Sequence, residues 1–244
     1  MTAADRDDAP PPDPYRVWNA YFGGVHPEGL PFVGGAAALT LVLVLIHGPL
    51  GWIGAALTLA IAAFFRNPER MTPTRAGLVI APADGQVVAI RPAVPPEEMA
   101  LGEAPLTRIS IFLSILDVHV NRIPVDGTVV RTDYHSGRFL NASLDKASEQ
   151  NERNALVIAT PQGGMIGVVQ IAGLVARRIR CWVRPEQVVR AGERFGLIRF
   201  GSRTDIYLPP GVAPQVATGQ WCIGGETVLA DLLSQEPPRD AQRR

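Results

Sequence analysis

The residues best suited to chemistry lie near the middle of the chain. From Ile109 an apolar run, Ile-Ser-Ile-Phe-Leu-Ser-Ile-Leu, ends in Asp117, His119, Asn121 and Arg122 ahead of Pro124. An imidazole beside a carboxylate, where a strand leaves the core, can take or give a proton near neutral pH. On this segment alone a hydrogen-bonded structural histidine is the stronger reading. A second candidate is Gly201-Ser202, set between two apolar runs. Such a pair is ordinarily a turn. Glycine, however, leaves its carbonyl uncrowded, and a strained Gly-Ser bond would let the serine hydroxyl attack that carbonyl once a base removed its proton. Asp84, in Ala81-Pro82-Ala83-Asp84-Gly85, and His135, in Tyr134-His135-Ser136-Gly137, both suit turns when taken singly.

Composition narrows the chemistry further. The 244 residues carry 23 Lys+Arg against 23 Asp+Glu, so the net charge is zero. A nucleic-acid partner is therefore not expected, because such proteins normally show a basic footprint. Cys181 and Cys222 are too few for a disulfide framework and fit no metal-ligand spacing. They are expected to sit reduced in a β core, and no metal site is expected. Lys146 is the only lysine, so any lysine-dependent mechanism has one candidate. No phosphate-binding loop or dinucleotide fingerprint is present.

The elements that must position these residues fall into blocks. Residues 1–13 are acidic and proline-rich, the texture of a disordered tail. Residues 15–30 place Tyr15, Trp18, Tyr21 and Phe22 beside Arg16, a mix typical of a membrane–water interface. From Phe32 to Phe65 there is no charged residue, and His47, Gly48 and Pro49 break the block near its middle. Each apolar arm is roughly 15 residues, short of the ~20 that a perpendicular span needs. The pattern predicts a helical hairpin that dips into the bilayer, or two thin spans, with both ends on one side. Arg16, Arg66 and Arg70 place that side in the cytoplasm; a buried soluble hairpin is the competing reading.

After Arg70, short β-type runs alternate with Gly, Pro and Asp turns, at 77–81, 86–90, 108–113, 128–134, 155–160, 165–171, 196–200 and 204–208. This spacing predicts a mostly β fold: a compact antiparallel β domain, barrel-sandwich-like, preceded by the apolar helical hairpin. The expected organisation is a tail and interfacial segment at 1–29, a membrane-associated hairpin at 30–66 and a β domain at 67–244.

Taken together the motifs resemble the phosphatidylserine decarboxylase family in its shorter bacterial form. The resemblance runs from Phe64-Phe65-Arg66-Asn67-Pro68 through Ala81–Gly85 and Asp117–Pro124. It continues through Asn151-Glu152-Arg153-Asn154 and Gln170 to Gly201-Ser202, in the family's order. It implies a self-processing enzyme that cuts itself between Gly201 and Ser202 and converts Ser202 into a pyruvoyl cofactor. That group would form a Schiff base with phosphatidylserine in the membrane and release carbon dioxide and phosphatidylethanolamine. The resemblance also implies that Asp84 and His119 assist Ser202 in a triad-like arrangement, and that the large and small chains stay associated. The cell membrane at its cytoplasmic face, with peripheral or monotopic attachment, is the expected location, and a homodimer is compatible with the chain.

Arg122 stands where longer relatives carry a second histidine. It is read, with Gln170, as substrate-binding, and a surface salt bridge is the alternative for it. Arg177, Arg178, Arg180 and Arg184 suit either anionic lipid or the solvated face of a strand. Three competing functions remain: a decarboxylase of a related ether lipid, a serine hydrolase, and a membrane-anchored biotinyl/lipoyl-like carrier or adaptor. The carrier would need a modified lysine at a hairpin tip, and Lys146 has no hairpin signature around it. The hydrolase lacks a nucleophile elbow.

Overall fold

The computed structural model describes residues 19, 21–137, 151–173, 178–199 and 201–242. The expectations for the acidic tail, for Lys146 and for Arg177 lie outside the described residues. Contacts divide the chain into two units, Met1–Glu69 and Arg70–Arg244.

The first unit is built on two helices, α1 (Leu30–Ile46) and α2 (Gly48–Phe64). Each has proline in its first turn, where a missing N–H costs nothing. His47 alone separates them, in an extended conformation that ends one helix and begins the next. Contacts pair Val44 with Gly51, Thr40 with Gly54 and Thr58, and Phe32 with Phe65, the order of an antiparallel hairpin. The approach is close because Gly51 and Gly54 carry no side chain; a Cβ on Gly54 would lie 2.7 Å from Thr40 Oγ1. At the seam Thr40 and Thr58 share a hydrogen bond of 3.0 Å while each hydroxyl reaches a carbonyl of its own helix. Small residues and hydroxyls at a helix seam are how helices associate where lipid removes the hydrophobic drive. The outside is apolar and uncovered: Leu41, Leu45, Ile46, Trp52, Ile53 and Leu59 are all exposed. Residues Pro27–Ile46 form one helical stretch long and apolar enough to cross a membrane, with mean hydropathy 2.3, whereas Gly48–Phe64 is shorter. At the open end His26 N donates to Phe65 O at 2.8 Å, so entry and exit are tied together.

The second unit carries thirteen strands: β1 (Leu78–Ile80), β2 (Gly85–Ala93), β3 (Leu106–Leu113), β4 (Val120–Arg122), β5 (Gly127–His135), β6 (Arg153–Ala159), β7 (Met165–Ala172), β8 (Ile179–Cys181), β9 (Val188–Val189), β10 (Arg194–Ile198), β11 (Ser202–Leu208), β12 (Trp221–Cys222) and β13 (Val228–Asp231). The largest sheet has eight strands in the order β12-β2-β3-β11-β7-β6-β5-β9, each neighbour antiparallel. A three-stranded sheet runs β4-β10-β8, and β1 pairs with β13. The mostly β, antiparallel fold expected from the sequence is the one observed. All eight runs named above coincide with strands. The five others are two to four residues long, too short for alternation to show.

β11 lies between β3 and β7 and is paired along its length to both. One of its faces sends Ile206 and Leu208 into the main core, with Ile109, Ile111, Leu156, Ile158, Ile166 and Val168. The other sends Tyr207 into a second cluster with Val169, Ile171, Ala155 and Val157. Arg203 and Asp205 share that second face, fully buried, and form a two-point ion pair at 2.8 and 3.0 Å. The geometry satisfies both charges at once, which a buried pair requires.

Both Asp-Gly turns launch strands. Gly85 opens β2 at φ +143, and a Cβ there would run into the carbonyl oxygen of Phe112. Gly85→Ala is therefore expected to destabilise the second unit by at least about 1–3 kcal/mol. The denaturation midpoint, compared with that of the parent protein, measures it.

Candidate active site

Three adjacent strands bring one end of the large sheet together: β2 begins at Gly85, β3 ends at Leu113 and β11 begins at Ser202. Ser202 lies directly opposite Leu113 on one side and Ala172 on the other. From Leu113 the chain turns through residues 114–117. Asp117 closes that turn, accepting from Ser114 N at 2.6 Å while its own N–H donates to Ser114 O at 3.0 Å. The turn delivers His119, fully buried, to the start of β4.

The tautomer of His119 follows from its partner. Nδ1 lies 2.9 Å from the carbonyl oxygen of Asp117. A carbonyl only accepts, so Nδ1 carries the proton and the lone pair of the neutral ring is left on Nε2, which is itself buried. Ile198 N donates to His119 O at 3.2 Å, which ends β10 beside the histidine. β10 of the three-stranded sheet ends at Ile198, and β11 of the eight-stranded sheet begins at Ser202. Gly201 takes φ +60 just before β11, a left-handed conformation that favours glycine, and no atom lies within 4 Å of where its Cβ would be. The next residue, Ser202, is fully buried, and its Oγ has no hydrogen-bond partner among the described residues; the same holds for Thr204 Oγ1, two residues on and on the same face.

Deeper along this face runs a chain of amides. Asn154, Gln170 and Thr204 are directly opposite one another on β6, β7 and β11. Asn154 Nδ2 donates to Gln170 Oε1 at 3.0 Å, and Gln170 Nε2 donates to Asn121 Oδ1 at 2.7 Å across from β4. All three side chains are buried, and Asn121 Nδ2 is left without a partner. Gly196 makes the crossing possible, since a Cβ there would sit 2.7 Å from Gln170 Nε2. Cys181 lies by this chain, its thiol pushed up from the usual value first by burial. Both cysteines are free; Cys222 is buried and Cys181 half-buried.

Asp84 and Arg122 occupy the other flank. Asp84 accepts from Arg70 Nη2 at 2.7 Å and from Gly224 N at 2.8 Å. Arg122 is buried, not at the surface, and its guanidinium donates to Gly192 O at 2.7 Å. Burial, then the charges of Arg194 and Arg70, bring its pKa down to about 10, against the opposing pull of Asp84 and Glu226. Burial and the Asp84 charge push the Cys222 thiol up to about 12. Among the described residues no three His, Cys, Asp or Glu side chains are grouped to hold a metal ion. His135 ends β5 and is exposed, as are Arg178 and Arg184.

Of the residues singled out in the sequence, Ser202, His119 and Gly201 gather where β10 passes into β11. Gln170 lies one same-face step further in, while Asp84 and Arg122 share a flank with Arg70. Sequence reasoning gave no site role to Arg70, Thr204 or Asn154, and Asn121 stood only as one member of a polar cluster. Thr204 was within reach of strand periodicity, being two residues from Ser202; the Arg70 contact with Asp84 has no local signal.

Residues 57–230 match the family described as phosphatidylserine decarboxylase. A protein of Nitrobacter winogradskyi named phosphatidylserine decarboxylase proenzyme is 59% identical over 217 residues, covering 89% of this chain and 88% of its own. A protein of the same name from Granulibacter bethesdensis is 59% identical over 207 residues, covering 85% of each. Nothing in these likenesses supports a carrier or adaptor module.

The Cys222 thiol supplies a test of the buried flank. An unfolded thiol ionises near its ordinary value of 9.0, while the native one stays protonated to about 12. Between those values the unfolded chain releases a proton that the folded chain keeps, so stability falls as pH rises above 9. Native protein at pH 8.5 is expected to leave Cys222 unmodified by iodoacetamide and to react there only after denaturation, as read by peptide mass spectrometry.

Proposed function

We propose that this chain, which belongs to the phosphatidylserine decarboxylase family, decarboxylates phosphatidylserine at a centre it makes by cutting itself between Gly201 and Ser202. The observation that carries this reading is the buried, hydrogen-bond-free hydroxyl of Ser202, set just after a left-handed glycine at the end of β10 that His119 flanks.

Each part has a physical role. His119, with Nδ1 held by Asp117 O, keeps Nε2 as the base that takes the Ser202 hydroxyl proton. Ser202 Oγ attacks the Gly201 carbonyl carbon, the Gly201–Ser202 C–N bond breaks, and the nitrogen takes up the proton. The ester so formed then loses the Gly201 carboxylate by elimination across Cα–Cβ of residue 202, and water releases ammonia to leave a pyruvoyl group at the head of the small chain. Asp84 belongs to the same end. Ile80 N donates to Pro124 O and Arg122 N to Pro82 O. The Asp84 carboxylate is held by Arg70, and the family resemblance gives it the role of stabilising the protonated imidazole of His119.

The residues present fit a pyruvoyl group. The hydroxyl it derives from is buried without a partner, and the backbone of residue 202 is fixed between Leu113 and Ala172. Once formed, that group supplies an electrophilic carbonyl for the substrate amine and an adjacent amide that accepts the electron pair released with carbon dioxide. The surrounding apolar strands exclude water, and His119 is the candidate proton donor to the resulting carbon. Cutting need not release the small chain. β11 stays between β3 and β7, β12 stays on β2 and β13 on β1, so each strand after the cut pairs with one before it.

The hairpin gives the chain its lipid attachment. Its uncovered apolar surface, and Arg66 at the foot of α2 bonded to Ala63 O, fit a monotopic or peripheral protein whose ends lie at the cytoplasmic face. The substrate's acyl chains can then stay in the bilayer while only the headgroup enters the site.

A denaturing mass spectrum of the full-length protein is expected to show two chains divided at Gly201/Ser202, the smaller blocked at its start by pyruvoyl. Ser202→Ala is expected to give one intact chain with no decarboxylation of phosphatidylserine vesicles, and His119→Ala to slow self-cutting about 10²–10⁴-fold. An intact parent chain would end this reading.

A further inference from the structure

The amide chain behind the centre ends in a donor that the reading above leaves unused. Gln170 has both its oxygen and its nitrogen engaged, by Asn154 on one side and Asn121 on the other. In the structure Asn154 donates Nδ2–H, so Gln170 presents its oxygen to Asn154 and its nitrogen to Asn121. Asn121 must in turn present its oxygen to Gln170, which leaves Nδ2 as the outward group. Nδ2 is buried and has no partner among the described residues, in a side chain with no exposed surface. A buried amide donor in that state costs free energy unless something else is bound to it.

Its depth tells what that something is. Asn121 stands two residues beyond His119 on the way into β4, and Gln170 pairs with Thr204, two residues beyond Ser202. Both offsets put the donor one same-face step, about 7 Å, inward of the reacting residue. A phosphatidylserine headgroup offers three groups. The amine goes to the reacting carbonyl. The phosphodiester leads back to glycerol and the acyl chains, so it faces outward to lipid. The carboxylate is the group left to face inward.

We propose that Asn121 Nδ2 receives the substrate carboxylate, and that Gln170 and Asn154 are positioning residues that turn its amide toward it. This rests on the decarboxylase reading and assigns Gln170 a place behind the substrate rather than against it. A neutral amide suits the chemistry better than a cation would. It orients the carboxylate without the strong ground-state stabilisation of an ion pair, which decarboxylation would have to undo. It also separates substrate from product: phosphatidylethanolamine lacks the carboxylate and so forgoes the bond to Nδ2 that the substrate gains.

Two variants test this in the processed full-length enzyme. Asn121→Asp replaces the donor with an acceptor of the same shape. Gln170→Glu can no longer donate to Asn121, so the Asn121 amide turns round and shows its oxygen to the substrate. Self-cutting is checked first by mass spectrum. Binding is then measured by calorimetry with two short-chain phospholipids, one with a 3-hydroxypropionate headgroup, which has the carboxylate and no amine, and one with ethanolamine. Both variants are expected to bind the carboxylate lipid about 10- to 100-fold more weakly, and to bind the ethanolamine lipid within twofold of the parent enzyme. Equal losses for both lipids, or no loss for either, would overturn the assignment. So would failure of both variants to cut themselves, because the donor would then serve the Gly201 carbonyl. A parent enzyme that cuts itself and binds the carboxylate lipid, yet leaves phosphatidylserine unchanged, would count against the decarboxylase reading and leave the carboxylate site standing.

Discussion

The pairing of β11 on both edges is the constraint from which the rest follows. A strand hydrogen-bonded on two sides in the middle of an eight-stranded sheet cannot shift register without turning every side chain to the wrong face. Its alternation is unusually demanding here. Ser202 and Thr204 must lie toward the buried amides, Ile206 and Leu208 toward the main core, and Arg203 and Asp205 must meet on the opposite face as a buried ion pair. The ladders hold residues 202–207 on both edges, so the place of the strand in the sheet does not depend on the left-handed Gly201 that precedes it.

The polar face of that strand costs stability. The hydroxyls of Ser202 and Thr204 and the Nδ2 group of Asn121 are buried with no hydrogen bond among the described residues. Each such group costs about 1–3 kcal/mol when left unsatisfied. The apolar strands around them bear that cost, since Ile109, Ile111, Val168 and Ile206 are fully buried. Charge is kept to one flank, where Asp84, Arg70 and Arg122 lie together. The polar face of β11 presents neutral hydroxyls and lies against neutral amides, with His119 beside the end of β10.

The hairpin obeys a different solvent. Its seam is made of glycine and threonine and its outside of leucine, isoleucine and tryptophan, an inversion of the pattern of a water-exposed hairpin. Proline at the start of each helix and a single extended residue between them make the reversal as short as two helices allow.

The sequence by itself determined the hairpin, the β class and eight of the strands, because charge-free length and apolar alternation are local properties that tertiary contacts only ratify. It also singled out Ser202, His119 and Asp84, through short motifs kept in a recognisable order. What only the tertiary structure decided is pairing across distance. Arg70 reaches Asp84, and Arg122 turns inward to Gly192 where the sequence had left a surface salt bridge open. Asn154, Gln170 and Asn121 line up from three strands of two sheets, two of those strands long and one, β4, too short to announce itself. Hydrogen-bond direction belongs to this second kind of knowledge. Which end of an amide faces outward is settled by its neighbours in space, and no spacing along the chain encodes it.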